Sequence, residues 1–175
     1  MCSSDLSSTA IAVAEGNAHS CALTSDGNVK CWGQNTSGQL GDGTTNPTSR
    51  TNPTSALGIQ TAVSVATGGT HTCAVQADGT VWCWGSNVSG QLGDGTALTR
   101  TTPVQVAGIL NAVSVSAGVS HTCALLDTGA VSCWGANTQG QLGNGTVVDS
   151  LAPVAASGIS SAVQIHAGYQ STCAV

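Results

Sequence analysis

Apolar and polar residues alternate with a period of two in short runs along most of the chain. Val63-Ser-Val65 and Val113-Ser-Val115 are two such runs. A period of two predicts a short strand with its apolar side chains on one face. Cys73-Ala-Val75 and Val81-Trp-Cys83 flank Ala77-Asp78-Gly79. That arrangement predicts a hairpin with a three-residue loop and glycine at its left-handed position. Ser25-Asp26-Gly27 and Asp127-Thr128-Gly129 fill the same slot elsewhere. A weaker strand is expected after each later proline, as at Pro103–Val106. No stretch has helical periodicity with caps. The local elements are therefore small antiparallel sheets of three or four strands.

The pattern also repeats at long range. His19–Ala22 returns at His71–Ala74 and His121–Ala124, Cys31–Gly33 at Cys83–Gly85 and Cys133–Gly135, and Gly38–Gly41 at Gly90–Gly93 and Gly140–Gly143. The period is 52 residues once and 50 afterwards. Pro53, Pro103 and Pro153 are evenly spaced, so the two extra residues of the first unit fall between Thr44 and Arg50, in a surface loop. The units run 9–60, 61–110 and 111–160, with a truncated fourth at 161–175 and a non-repeat tail at 1–8. Met1–Leu6 fits neither the repeat nor a targeting signal. All-β units of this length stack as propeller blades, each covering its neighbour's apolar face. The expected fold is all-β: a partial β-propeller of about three and a third antiparallel blades.

Three linked motifs recur at fixed spacing: Gly-x-x-His-[Ser/Thr]-x-Ala-[Leu/Val], Asp-Gly-x-Val-x-x-Trp-Gly-x-Asn, and Gly-Gln-Leu-Gly-x-Gly. Together they resemble the repeat of the regulator-of-chromosome-condensation family over nearly everything after Leu6. The resemblance implies a seven-bladed propeller, of which this chain holds under half, and it extends to bacterial members that are secreted or surface-bound. Cys173 aligns with Cys21, and its partner would fall ten residues later, past Val175. The chain is accordingly expected to be part of a longer propeller.

Cys21 and Cys31, Cys73 and Cys83, and Cys123 and Cys133 are each ten residues apart. Counting outward from the three-residue loop pairs 23 with 29, 22 with 30 and 21 with 31. The two cysteines of each unit then face one another in a non-hydrogen-bonded pair, whose Cα atoms lie about 4.5 Å apart, within reach of a disulfide. Cross-strand disulfides are the preferred reading. Small buried thiols are the other, which an intracellular origin would favour. Two cysteines per hairpin do not make a zinc site.

Composition narrows the function. Charged residues are only 6% of the chain, against about 25% in a typical globular protein. The net charge is −5, and Lys30, Arg50 and Arg100 are scattered, so no basic stripe can track phosphates. Nucleic acid is not an expected ligand, and no apolar run is long enough for membrane insertion. No phosphate loop, dinucleotide fingerprint, nucleophile elbow or calcium loop is present, and no cofactor or metal is expected. Asp26, Asp78, Asp42 and Asp94 sit in turns, and Asn144 replaces aspartate in one copy, which marks turn chemistry rather than acid–base catalysis. His19, His71 and His121 share a slot and are read as structural, each hydrogen-bonding within its own blade. Trp32, Trp84 and Trp134 are read as packing between blades. A photoreceptor of the broad family carries chromophore tryptophans just before the histidine, where this chain has none. Asn35, Asn87 and Asn144 head glycosylation sequons.

Positions that differ between units are the candidates for specificity. They are the pairs Asn17-Ala18, Gly69-Thr70, Val119-Ser120 and Tyr169-Gln170, the loops 45–50, 97–100 and 147–150, and the strand positions Lys30, Trp82 and Ser132. Equivalent propeller loops converge on one face, which predicts partner-binding loops there. The expected function is a non-enzymatic binding scaffold, secreted or at the cell surface, presenting these loops to a protein or glycan. Exchange-factor activity on a small GTPase is the alternative that the family implies. It would need a wedge inserted into the repeat, and the units differ in length by only two residues. An enzyme would need a cluster of titratable groups, and His166, Tyr169 and Glu15 are too few and too scattered. Open blade edges also invite self-association.

Overall fold

The computed structural model describes residues 8–175, so of the expected tail only Ser8 falls within it. The first unit forms a four-stranded meander of β1 (Ala10–Glu15), β2 (His19–Thr24), β3 (Val29–Gln34) and β4 (Ser49–Ser55). The second repeats it as β5 (Ala62–Thr67), β6 (His71–Gln76), β7 (Val81–Gly85) and β8 (Arg100–Gln105). The third is β9 (Ala112–Ala117), β10 (His121–Leu126), β11 (Val131–Gly135) and β12 (Ser150–Ala155). A two-stranded start of a fourth blade follows, β13 (Ile165–Ala167) and β14 (Thr172–Ala174). All pairings are antiparallel. No helix among the described residues is long and apolar enough to cross a membrane.

The central hairpins adopt the expected register. Leu23 faces Val29, Ala22 faces Lys30 and Cys21 faces Cys31. Gly27 sits at φ +78°, with its N–H donating to the Thr24 carbonyl at 2.9 Å. The cysteines are joined as Cys21–Cys31, Cys73–Cys83 and Cys123–Cys133, with Cα separations of 4.1, 4.1 and 4.0 Å. Each bridge closes a short loop and contributes at most about 2–3 kcal/mol. Cys173 carries no bridge and is exposed. Cys2 lies outside the described residues.

Two strand expectations need correction. The outer strand does not follow the proline but contains it: Pro103 lies inside β8. Two extra residues accumulate in the edge strand between its pairings to Cys83 and Gly85, so the missing proline N–H leaves no ladder bond unmade. The inner strands do not alternate cleanly either. Ala62 pairs with Gln76 and Ser64 with Val75, which leaves Val63 as a bulge; Ile11 and Val113 bulge in the same way. Val65 packs against the core while Val63 is turned out.

The cores lie between blades, not within them. Cys21, Leu23, Val29, Cys31 and Leu40 of the first blade pack against Ala62, Ala74 and Trp84 of the second, and the next interface repeats the scheme with Trp134. At each hairpin tip the glycine carbonyl accepts an N–H from the following blade: Gly27 from Ala62 at 2.9 Å and Gly79 from Ala112 at 3.0 Å.

A polar latch joins the blades at the other end. The Thr72 hydroxyl donates to the Gln39 carbonyl at 2.8 Å, and the same carbonyl accepts the Trp84 indole N–H at 2.9 Å. That hydroxyl has spent its one proton, so the His19 imidazole 2.9 Å away must donate to it from Nε2. His71 with Thr122, and His121 with Thr172, repeat the bond at 2.9 and 3.0 Å. The histidines are structural, but their bond crosses to the next blade instead of staying in their own. Gly-Gln-Leu-Gly is the receiving half of this latch. A Cβ at Gly41 would lie 2.7 Å from the Trp84 ring, so only glycine admits the indole.

Candidate binding face

A meander sends successive connections to alternate ends of the sheet. The β1–β2 turns and β3–β4 loops of every blade therefore share one end, here the loop end. The β2–β3 tips and the links between blades share the other, the hairpin end. Both sets of variable loops fall at the loop end, whereas the variable strand positions Lys30, Trp82 and Ser132 lie within β3, β7 and β11, opposite Ala22, Ala74 and Ala124.

Nearest the axis, the inner turns surround a cleft of about 280 Å³ lined by Glu15, Asn17, Thr67, Gly69, Val119 and Tyr169 among others. The first residue of each variable pair thus faces the axis. The second residue of the first three pairs holds the turn closed: Ala18, Thr70 and Ser120 give their carbonyls to the N–H groups of Gln34, Ser86 and Ala136. Gln170 lines a separate groove beside Gln141 and Thr172. Asn17, Ala18, Tyr169 and Gln170 are exposed, Thr70, Val119 and Ser120 are half-buried, and Gly69 is buried. The Gly69 N–H donates to the Val119 carbonyl at 3.1 Å, and the Val119 N–H to that of Tyr169 at 3.2 Å, tying the blades together at the axis.

Farther out, the long loops carry exposed Val88, Leu98, Val147 and Val148. Their bases are rigid. Buried Asn87 accepts the Leu92 N–H at 2.9 Å and donates to the Thr96 carbonyl at 2.9 Å and to Asp94 at 3.1 Å. Arg100 reaches Asp94 at 2.8 Å, and Arg50 reaches Asp42 at 2.5 Å. Burial pushes the Asp94 carboxyl up, but hydrogen bonds from Thr96 and Arg100 outweigh it and hold it below the ordinary range. Asp42 follows the same pattern with Thr44 and Arg50. The third unit has Asn144 and Ser150 at these two positions and no ion pair. Paired gain and loss across the repeats was the sequence signal for this clasp. The sequon asparagines Asn35 and Asn87 are buried in such clasps, and Asn144 is partly exposed.

Burial lowers His19 to about 4 and His71 to about 3, the latter helped by its histidine neighbours; His121 shifts down for the same first reason. The Nδ1 atoms of all three are buried without a partner. Each histidine is therefore a neutral strut and a poor proton carrier at neutral pH. Among the described residues no group of three or more His, Cys, Asp or Glu side chains could hold a metal ion.

Family models described as "Regulator of chromosome condensation (RCC1) repeat" match residues 26–75, 78–125 and 128–175, and in a second form 9–39, 62–91 and 112–141. Protein RCC2 homolog of Danio rerio is 37% identical over 94 residues, 54% of this chain and 19% of that protein. The human probable E3 ubiquitin-protein ligase HERC3 is 44% identical over 88 residues, 49% of this chain and 8% of that protein. The crystal structure of human WBSCR16 superposes with a TM-score of 0.85 at 25% identity, covering 95% of this chain and 44% of that one. Prp20p of Saccharomyces cerevisiae, described with its binding to Gsp1p and histones, gives 0.83 at 22% identity over 94% and 43%. The chain thus spans under half the length of these relatives.

Proposed function

We infer that this chain, which belongs to the regulator of chromosome condensation (RCC1) repeat family, is a non-enzymatic scaffold that binds a protein partner through its loop end. The observation that carries this reading is the convergence of both variable loop sets on that end, above a frame whose latches repeat unchanged. Exposed Leu98, Val147, Val148 and Tyr169 supply apolar and aromatic contact area. Placement outside the cell or at its surface, in a bacterial setting, fits three buried disulfides and a polar, weakly charged surface.

Exchange-factor action is the second reading. The likeness to Prp20p supports it at the level of fold, and the near-uniform units argue against it.

The test is proximity labelling in the native extracellular fluid. One variant combines Asn17→Ala, Leu98→Ser, Val148→Ser and Tyr169→Ala, and a control carries Leu57→Ser at the hairpin end. The expected result is a protein labelled by the parent and the control and lost with the fourfold variant. Equal labelling by all three overturns the reading. In parallel, faster release of fluorescent GDP from a small GTPase would move the assignment to the exchange factor.

A further inference from the structure

The hairpin end holds a feature that neither the core nor the latches explain. Every complete unit bulges at the same inner-strand position, and an apolar residue occupies the bulge each time: Ile11, Val63 and Val113, at 62%, 54% and 48% exposure. A bulge re-aims a side chain, and here it holds an apolar one in water three times over. Between the second and third blades this feature is enlarged. The slot filled by Gln60 and Ser160 in the flanking units is Leu110 here, 66% exposed. Val63, Leu110 and Val113 line a groove of about 420 Å³ together with Asp78, Asn111 and Asp127, among others.

The groove is built from residues 63–127, with a blade on either side. Its charge is one-signed. Asp78 takes the Thr80 N–H and hydroxyl on Oδ1, at 2.9 and 2.7 Å, and Asp127 takes the Asn111 amide on Oδ1. The second carboxylate oxygen of each is left for an outside donor. No lysine or arginine lines the groove, and both arginines of the chain are held in ion pairs at the opposite end.

We propose that this groove is a second docking site, which takes a protein segment carrying an apolar side chain next to a lysine or arginine. The apolar side chain covers Val63, Leu110 and Val113, and the cation makes charge-assisted bonds to Asp78 and Asp127. The site is independent of the loop end, so either can fail without the other.

The test pans a phage-displayed random dodecapeptide library on the parent chain, then measures the enriched peptides against Leu110→Ser and Asp127→Asn. Leu110→Ser installs the residue that the third unit already carries, so the blade tolerates it. The expected peptides combine Leu, Ile or Met with an adjacent Lys or Arg, and bind each variant about tenfold more weakly or worse. They bind the fourfold loop-end variant as well as the parent. The proposal is overturned if no peptide is enriched, if the peptides are acidic, or if binding ignores both substitutions. Concentration-dependent self-association that Leu110→Ser abolishes would assign the groove to a second copy of this chain, and would overturn it equally.

Discussion

His19, His71 and His121 each keep one ring nitrogen bonded and one buried without a partner, and that asymmetry governs how the protein responds to acid. Protonating the second nitrogen would create a buried charge. The folded histidines therefore resist it down to about 4 for His19 and about 3 for His71, whereas an unfolded histidine accepts a proton near 6.5. Between those values the unfolded chain binds protons that the folded chain refuses, so stability falls as pH drops through the window and is flat above it. The loss approaches roughly 3 kcal/mol for His19 alone at the bottom of the window. Urea midpoints at pH 7.5, 5.5 and 4.5 check this, and a constant midpoint would contradict it. The repetition of the histidine slot already pointed to a structural role in the sequence. Its partner was not legible, because the bond joins residues 51–53 positions apart and no local pattern encodes it.

At the scale of the element, the hairpins were legible almost atom for atom. A three-residue loop ending in glycine fixes the register, and the register fixes which cysteines meet. The bulges were not legible, because Val63-Ser-Val65 has the same apolar pattern whether or not a residue is inserted. Nor was the outer strand's start, since Arg100 and Thr101 carry no strand signal and are held there by the Asp94 ion pair. The join between sheets depends on one hydroxyl per blade. Thr72→Val removes the acceptor of the buried His19 N–H and one donor to the Gln39 carbonyl, and should cost about 1–3 kcal/mol. Ser20 holds the equivalent position in the first blade and makes no such bond, so Ser20→Ala should change stability by less than about 0.5 kcal/mol. Equal losses from the two, in chemical denaturation, would mean that the latch does not join the blades.

At the scale of the molecule, the blades stack into a partial propeller with two chemically different ends. Val13 is exposed in the first blade, while its counterparts Val65 and Val115 are packed against a preceding blade, as stacked repeats require. The candidate binding face was legible only as a list of variable positions. Its shape was not, because only the sheet order shows that the inner turns and the outer loops share one end. The proposed function needs a disulfide-stapled scaffold in an oxidising compartment. A free-thiol count on denatured protein never exposed to reductant tests it most directly. The chain has eight cysteines, six of them bridged, so no more than two thiols should be free, Cys173 among them. Eight free thiols would contradict it, leaving the paired cysteines as packing residues and favouring an intracellular regulator.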